Sequence, residues 1–169
     1  MVDTYGVQSG CHPFADTFEQ MKEMEKQPKQ VIVVRKDLKM RKGKIAAQVA
    51  HASMKVLLDR MSYSTSKETI LSEPKPYVAK RVHRELVCPK DCSLDKWLSG
   101  KFTKICVSVD SEDELELIYL RAKNLNIPSA LIIDSGATEF NGVPTKTCCA
   151  IGPDNPDKID EITGKLNLL

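Results

Sequence analysis

The sequence predicts an α/β protein with three layers in the order α/β/α and a four-stranded sheet of mixed direction. Val31 to Val34 is a continuous β-branched run, which is typical of a central strand buried on both faces. Segments with strand and helix patterns alternate after it, and the second strand candidate is Phe102 to Val109. The last two predicted strands, Ser129 to Ile133 and Thr145 to Ile151, are too close in sequence for a helical crossover, so the sheet has to be mixed.

The helices are predicted from breaks and capping residues. A helix from about Lys44 to Arg60 follows the basic turn. Ser111 and Glu114 have the spacing of a capping box, which opens a helix that ends near Asn124. The last helix is expected to begin after Asn155 as N-cap, with Pro156 in its first position, and to end at Thr163 and Gly164.

The domain organisation predicted is one domain with an appendage. Residues 1–29 mix Gly, Pro and charge and are expected to form an N-terminal extension with a short helix at Thr17 to Glu25, whereas residues 30–169 form the domain. Within it, residues 62–89 are polar and interrupted by prolines, and are interpreted as a surface excursion. We expect a helix near Tyr77 to Leu86 and another at Ser93 to Ser99.

The charges are unevenly placed. The formal net charge is only +2, so any anion-binding surface depends on where the 25 Lys and Arg residues lie. Five of the nine residues from Lys36 to Lys44 are basic, whereas five of the seven from Asp110 to Glu116 are acidic. The first segment is suited to phosphate, and the second is expected to face away from it. Aromatic residues make up only 5%, so contact with nucleic acid should depend on charge rather than on stacking.

The cysteines indicate a reducing compartment. The six cysteines include no CxxC pair and follow no secretory leader, so a cytoplasmic protein is expected. An apolar run of the ~18 residues needed to span a bilayer is lacking, so no membrane association is predicted. His83, Cys88 and Cys92 are zinc ligand types, but the C-x3-C spacing has no matching second pair, and no metal is predicted. Cys148 and Cys149 are interpreted as small buried hydrophobic residues.

The helix after the basic turn has one polar stripe on an otherwise apolar surface. At 100° per residue, its four members fall within about 60° of one another; they are Lys44, Gln48, His51 and Lys55. Such a stripe is often only the solvated face of a helix. Lys44, however, stands in the first turn, where the helix dipole makes a cation mildly unfavourable, and this indicates an anionic partner.

The basic turn before this helix favours phosphate binding. It supplies Lys39, Arg41 and Lys42 together with Gly43, which allows the backbone to approach a ligand. The GxxxxGK[ST] spacing of a nucleotide-binding loop is absent, so ATP and GTP are not predicted.

A second group of polar residues follows the third predicted strand. Asp134 ends this strand and precedes Ser-Gly, the place where α/β sheets present groups to ligands, although an aspartate there can also cap a turn. Thr138 lies nearby, and Thr145 and Thr147 share one face of the next strand. Threonine in strands usually reflects β-propensity, so the threonines alone predict little.

A further basic cluster lies inside the excursion. Its members are Lys80, Arg81, His83 and Arg84. They would suit either an RNA backbone or the solvated face of a helix, and the latter is the favoured interpretation.

Four stretches together resemble the second type of peptidyl-tRNA hydrolase, a family found in archaea, eukaryotes and some bacteria and viruses. The stretches are VIVVRKDLKMRKGKIAAQVAHA, KWLSGKFTKICVSVDSEDEL, IIDSGATEF and PTKTCCAIGPDNPDKIDEITGKLNLL. They span about Val31 to Leu169 apart from the enlarged excursion. The resemblance implies a compact α/β/α fold with a four-stranded mixed sheet, commonly a homodimer. It also implies cleavage of the ester between a peptide and the terminal ribose of tRNA, without metal or organic cofactor.

The resemblance also implies a set of site residues. The family's active-site lysine falls on Lys44, its helix glutamine and histidine on Gln48 and His51, its acid on Asp134, and its threonines on Thr138 and Thr147. The same residues lie on the polar stripe of the helix, at or after the end of the third predicted strand, and on the fourth.

Three positions depart from the family pattern. A basic residue followed by Thr-Gln is usual after Asp-x-Gly, but here Ala137 and Glu139 flank Thr138. Arg41 stands where glycine is usual, which adds charge and removes flexibility. The changes bear on substrate preference more than on fold.

The mechanistic hypothesis is ester hydrolysis by an activated water. Asp134 would orient or deprotonate the water, and Lys44 with the helix N-terminus would offset negative charge, while Gln48 and Thr147 place the ester. His51 is an alternative base, although packing or tRNA contact is an equal explanation. Phosphate contacts are assigned to Lys39, Arg41, Lys42 and Lys55, with Thr138 also binding substrate.

Two other functions remain open from the sequence. One is a tRNA- or RNA-binding module of the same fold that has lost hydrolysis, which Ala137 and Glu139 motivate. The other is an interaction protein that contacts a partner through the 62–89 excursion.

Overall fold

The structure is a computed structural model and describes residues 26–169. The expected helix at Thr17 to Glu25 and most of the expected N-terminal extension lie outside these residues. In the described part the elements are, in chain order, β1 (Lys29–Arg35), α1 (Lys42–Leu58), β2 (Ser62–Ile70), β3 (Tyr77–Glu85), α2 (Ser93–Ser99), β4 (Lys104–Val109), α3 (Glu112–Asn124), β5 (Ser129–Asp134), β6 (Thr145–Asp154), α4 (Pro156–Thr163) and β7 (Asn167–Leu168).

The main sheet is mixed, as predicted, but it has five strands rather than four. Its order is β5-β6-β1-β4-β7, and β1 pairs parallel to β4 and antiparallel to β6. The additional strand, β7, is a two-residue antiparallel pairing of Asn167 and Leu168 with Ser108 and Val107 at the edge. So short a pairing has no hydrophobic periodicity of its own, and the sequence therefore gave no signal for it.

Strand β1 is buried on both faces because its side chains alternate between two hydrophobic clusters. Val31 and Val33 join a cluster with residues of α3 and α4. Ile32 and Val34 join another, which contains Ala52 and Val56 of α1. Helix α1 therefore packs against one face of the sheet, and α3 and α4 pack against the other.

The predicted helix caps are confirmed where local chemistry defines them. Ser111 Oγ accepts the N–H of Glu114 at 3.2 Å, and α3 begins directly after it. Asn155 Oδ1 accepts the N–H of Asp157 at 2.8 Å, and α4 runs from Pro156 to Thr163 as expected. Each cap satisfies an N–H group that the helix leaves free.

The helix predicted near Tyr77 to Leu86 is wrong, because this segment is strand β3. It pairs antiparallel with β2 in a separate two-stranded sheet, with Ser62 opposite Glu85 and Ile70 opposite Tyr77. The charged residues of β3 resembled a solvated helix face in the sequence. A polar hairpin exposed on both faces lacks the alternation of apolar and polar residues by which strands are recognised. The helix expected at Ser93 to Ser99 is confirmed.

No helix in residues 26–169 is long and apolar enough to cross a membrane.

Candidate active site

Asp134 is the meeting point of the candidate site. It is the last residue of β5, and its Oδ2 accepts hydrogen bonds from Lys44 Nζ at 2.5 Å and Gln48 Nε2 at 2.8 Å. Its Oδ1 accepts the backbone N–H of Gly136 at 2.9 Å. The side chains of Lys44 and Asp134 are only 12% and 13% exposed, so water screens this ion pair less than one on the surface.

Helix α1 brings Lys44 and Gln48 to the carboxylate because residues four apart lie on the same side of a helix. Apolar side chains of the same helix, including Ala52 and Val56, fix it to the sheet. The N-terminal half of the polar stripe predicted from the sequence, Lys44 and Gln48, thus faces the end of β5 rather than bulk water.

Thr147 fixes the orientation of the Gln48 amide. A carboxylate only accepts hydrogen bonds, so the amide nitrogen of Gln48 has to face Asp134. The amide oxygen then faces the hydroxyl of Thr147, which donates to it at 2.6 Å. Both residues are buried, at 2% exposure for Gln48 and 0% for Thr147. Thr147 is therefore a positioning residue behind the site and not a residue on its surface.

The charge state of Asp134 follows from these contacts. The hydrogen bond from Lys44 lowers the pKa of the carboxyl below its ordinary value, burial opposes this, and the Gly136 N–H and Gln48 amide also lower the pKa. Asp134 is thus an ionised carboxylate near neutral pH. It lacks the raised pKa that would make it a strong proton acceptor.

His51 lies one turn beyond Gln48 on α1 and is exposed. No hydrogen bond joins its ring to any residue of the described part of the chain. The ring borders both of the cavities described below. The ring thus borders the same cavities as Asp134, but no hydrogen bond from a described residue fixes it.

The loop after Asp134 adds Thr138, whose Oγ1 accepts a second hydrogen bond from Lys44 Nζ at 3.1 Å. The Lys44 ammonium also lies 5.5 Å from the centre of the Phe140 ring. Gly136 allows this loop to close on itself. Its φ is +81°, and a Cβ there would lie 2.4 Å from the carbonyl oxygen of Val143.

Arg41 and Glu139, two of the three departures from the family pattern, contact each other. Arg41 Nε donates to Glu139 Oε1 at 2.6 Å. Arg41 is 79% exposed and Glu139 only 14%, so the acid is covered while the cation remains open to solvent. The two residues lie 98 positions apart in the chain, so no local pattern in the sequence indicates the pair.

The other predicted phosphate-binding residues differ in their contacts. Lys39 and Lys42 are exposed and make no ion pair with any residue in the range 26–169. Lys55 is paired with Asp59 at 2.8 Å one turn along α1. The N-cap residue of α1, Arg41, makes no side-chain cap, and the first turn contains no acid. The free N–H groups of this turn therefore add to the positive potential of the lysines.

Two cavities adjoin at Asp134 and share Gln48, His51 and Asp134 in their walls. One, of about 560 Å³, is lined mainly by charged and polar groups; the remaining residues are Arg41, Gly43, Lys44, Ala47, Thr138 and Glu139. The other, of about 580 Å³, lies between α1 and β5 and is more apolar; the remaining residues are Met54, Lys55, Leu58, Asp59, Leu131, Ile132, Ile133 and Ser135. The sequence had not indicated this second cavity.

The residues considered for zinc do not form a cluster. His83 lies in β3, where its Nε2 is 2.8 Å from Ser66 Oγ. Within residues 26–169 no group of three or more His, Cys, Asp and Glu side chains is arranged to hold a metal ion. Cys148 and Cys149 are buried in β6, and burial raises the pKa of the Cys148 thiol to about 12.

Comparison with known proteins agrees with the resemblance seen in the sequence. Residues 28–169 match the family described as "Peptidyl-tRNA hydrolase PTH2". A protein of Sulfurisphaera tokodaii is 41% identical over 143 residues, which cover 83% of this chain and 98% of that protein. A protein of Methanothermobacter thermautotrophicus is 40% identical over 141 residues, and one of Methanocaldococcus jannaschii is 38% identical over 141; each alignment covers 83% of this chain and 99% of the relative. All three relatives are named peptidyl-tRNA hydrolase.

Proposed function

Because the chain belongs to the peptidyl-tRNA hydrolase PTH2 family, we propose that it hydrolyses the ester of peptidyl-tRNA with the side chains gathered around Asp134. The observation that carries the assignment of the site is the buried network in which Lys44 and Gln48 both donate to this carboxylate. The network lies where two cavities meet, one lined mostly by polar and charged residues and the other bordered by Met54, Leu58 and Ile133, so it is open to a substrate with two chemically different halves.

Asp134 has capacity for one more hydrogen bond. An ionised carboxylate offers about four acceptor positions, and the contacts from Lys44, Gln48 and Gly136 occupy three. The fourth can hold a water molecule against the ester carbonyl. Because its pKa is lowered, Asp134 orients this water rather than taking its proton, and the exposed imidazole of His51 is the group that accepts it.

Lys44 has a corresponding free donor. An ammonium carries three N–H groups, and Asp134 and Thr138 account for two. The third can stabilise the oxyanion that develops when the water oxygen bonds to the carbonyl carbon. Collapse of this intermediate breaks the bond to the ribose oxygen, which takes up the proton that His51 accepted from the water. The products are the free carboxyl end of the peptide and the terminal ribose hydroxyl of tRNA.

The tRNA half is expected to approach the N-terminus of α1. Lys39, Lys42 and the uncapped N–H groups there suit phosphate. Arg41 and Lys55 are already paired, so their contribution requires exchange of a carboxylate for a phosphate. We further propose a cytoplasmic homodimer of three-layered α/β/α subunits, in keeping with the family.

The decisive experiment measures release of the amino acid from an N-blocked aminoacyl-tRNA by the parent, Lys44→Ala and Asp134→Asn. Loss of one preorganised oxyanion donor costs about 10²- to 10³-fold in kcat, and we expect at least this for Lys44→Ala. Lys158→Ala changes an exposed lysine of α4 outside the site and provides the matched control. A parent protein that binds tRNA but releases no amino acid above the buffer rate would instead support the alternative motivated by Ala137 and Glu139, an RNA-binding module without hydrolase activity.

The role of His51 has its own test. If the imidazole accepts the proton, His51→Ala lowers kcat while the affinity for deacylated tRNA stays the same. An unchanged kcat with only a higher KM would assign His51 to tRNA contact and exclude it as the base.

A further inference from the structure

The cavity between α1 and β5 has an unusual number of exposed apolar side chains. Met54 and Leu58 on α1 are 53% and 43% exposed, and Ile133 on β5 is 58% exposed. All three line the same cavity, next to Asp134. A contiguous apolar surface of this kind on a soluble domain commonly marks a binding site.

One wall of this cavity is a free strand edge. Strand β5 is the first strand in the order β5-β6-β1-β4-β7 and pairs only with β6 within the described residues. Its outer backbone groups are therefore available to an extended chain, which could pair with them regardless of sequence. Recognition through the main chain suits an enzyme that has to accept many different peptides.

The two cavities match the two halves of the substrate. The cavity around Lys44 is lined mostly by polar and charged residues and lies beside the lysines at the N-terminus of α1, so it suits the ribose and phosphates of tRNA. The α1–β5 cavity instead offers apolar side chains and a strand edge. The ester has to lie at the residues that the cavities share. Resting on the proposed function, we propose that the α1–β5 cavity binds the peptide half of the substrate, with Met54, Leu58 and Ile133 receiving the side chain of the residue esterified to tRNA.

The charged residues of this cavity also affect which side chain of the esterified residue it favours. Carboxylates lie at both ends of it, Asp134 at the reaction site and Asp59 at the far end of α1. Asp59 is paired with Lys55, and Asp134 is paired with Lys44. An acidic side chain would therefore lose water and apolar contact without finding a free lysine to pair with among the described residues of the cavity. Leucine and methionine are therefore favoured, and aspartate is disfavoured.

The test compares turnover of N-acetyl-leucyl-, N-acetyl-glycyl- and N-acetyl-aspartyl-tRNA. We expect the parent to favour the leucyl over the aspartyl substrate by on the order of 10-fold or more in kcat/KM, the range that apolar pockets achieve. Met54→Ser and Ile133→Ser should lower kcat/KM for the leucyl substrate much more than for the glycyl substrate, and so lose this preference. Leu120→Ser removes a similarly exposed leucine, 54% exposed on α3, and serves as the matched control.

A binding measurement tests this proposal independently of the proposed hydrolase activity. It uses an adenosine that carries N-acetyl-leucine in amide linkage. This compound cannot be hydrolysed as an ester, so its affinity relative to the aspartyl form reports on the cavity even if no turnover is found. Equal affinities and equal turnover across the substrates would overturn the proposal. A parent dimer that Met54→Ser converts to a monomer with unchanged preference would also overturn it, because the cavity would then be an interface between two copies.

A second inference concerns the β2–β3 hairpin and rests on different residues. Among its 18 strand residues only Ile70 and Ala79 are partly covered, and all others are exposed. Isolated two-stranded hairpins are at best marginally stable in water. A hairpin so exposed is therefore expected to gain stability from a partner.

One face of the hairpin carries three cations and no acid. Lys67 lies directly opposite Lys80, and Arg84 lies opposite Tyr63, with its guanidinium 5.3 Å from the ring centre. The remaining residues of this face are Thr65, Thr69, Val78 and Val82, so it contains no acid. The opposite face differs, because Arg81 there is paired with Glu68. Like charges directly opposite each other in a sheet are destabilising unless an anion lies between them.

We infer that this face of the hairpin, defined by Lys67, Lys80 and Arg84, binds the RNA backbone of the substrate. The hairpin begins four residues after α1 ends. Along the axis of α1, Lys44 and Leu58 are about 21 Å apart at a rise of 1.5 Å per residue. The face can therefore contact the tRNA at a distance from the ester. Tyr63 with Arg84 adds a flat surface on which a base can stack.

Lys67→Ala should have an unusual combination of effects. It removes a like-charge contact, so the melting temperature should not fall, but it also removes a phosphate contact, so tRNA affinity should fall and the salt slope of log K should decrease by about one. Arg81→Ala alters the other face and is the matched control. Unchanged tRNA affinity for Lys67→Ala, or an equal loss of affinity for Arg81→Ala, would overturn this inference and leave an acidic protein surface as the candidate partner.

Discussion

Gln48 determines much of the site because both ends of its buried amide are used. Its nitrogen donates to Asp134 at 2.8 Å and its oxygen accepts from Thr147 at 2.6 Å. A reversed amide would direct an oxygen at a carboxylate, so a single orientation is favoured. The candidate site is thus organised from the core outward, because the buried Thr147 fixes Gln48 and Gln48 in turn contacts Asp134.

Thr147→Val is the sharpest test of this dependence. Valine keeps the shape of threonine but leaves the Gln48 oxygen buried without a donor, which costs about 1–3 kcal/mol. We expect a loss of this size in the free energy of unfolding measured in urea, together with a lower kcat. Thr147→Ser keeps the hydroxyl and should retain most of both. Equal stability of the valine and serine variants would contradict the role given to Thr147.

Asp134 gives a pH prediction at the same scale. The folded protein lowers the pKa of this carboxyl, so its contribution to stability is present above the unfolded pKa of about 3.9 and is lost as pH falls through the lower folded value. The stability difference between the parent and Asp134→Asn should therefore be largest near neutral pH and shrink below about pH 4. Denaturation midpoints across pH 3 to 7 measure it, and a difference that grows on acidification would refute the assigned charge state.

At the scale of elements, the loop between β5 and β6 depends on Gly136. The left-handed φ of this residue and the 2.4 Å approach of a Cβ to Val143 leave no room for a side chain. Gly136→Ala should lower the melting temperature and displace Thr138 and Glu139 from α1. We expect reduced turnover with little change in the affinity for deacylated tRNA, measured by filter binding.

Gly142→Ala in the same loop is the control. Gly142 also has a positive φ, of 79°, but nothing lies within 4 Å of a Cβ there. Both variants thus carry the backbone strain, and only Gly136→Ala adds the clash. Equal losses in both would attribute the effect to strain alone.

Elements with local signals were predictable, and those that depend on distant pairing were not. The start of α4 follows from Asn155 and Pro156, which are adjacent, and the sequence predicted it correctly. Strand β3 was predicted as a helix because its identity depends on pairing with β2, and two-sided exposure removes the usual alternation. In the site, Lys44 and Gln48 were found from helix periodicity. The burial of Thr147 and the Arg41–Glu139 pair required knowledge of contacts about a hundred residues apart.

At the scale of the molecule, charge is segregated between the two faces of the main sheet. The basic turn and α1 lie on one face, whereas the acidic first turn of α3, with Glu112, Asp113 and Glu114, lies on the other. A net charge of only +2 therefore coexists with a local concentration of lysines that suits the proposed contact with RNA.

This segregation predicts a strong salt dependence. Raising the salt concentration from 50 to 200 mM should raise KM for N-blocked aminoacyl-tRNA steeply, because counterions compete for the lysines, while kcat should change little. Lys39→Ala and Lys42→Ala should each reduce the slope by about one. Steady-state kinetics at several salt concentrations measure both effects, and an equal fall in kcat would place the charges in the chemical step instead.

The contact between Arg41 and Glu139 has a consequence for comparisons within the family. The two residues replace glycine and glutamine of the usual pattern, and at 2.6 Å each neutralises the other. The two substitutions therefore act as a single exchange of a neutral pair for an ion pair, and the effect of either one on the local charge depends on the other. Transplanting Glu139 alone into a relative would bring an uncompensated carboxylate close to the position of Lys44, whereas transplanting both would leave the local charge unchanged. Sequence surveys should accordingly find the two residues inherited together.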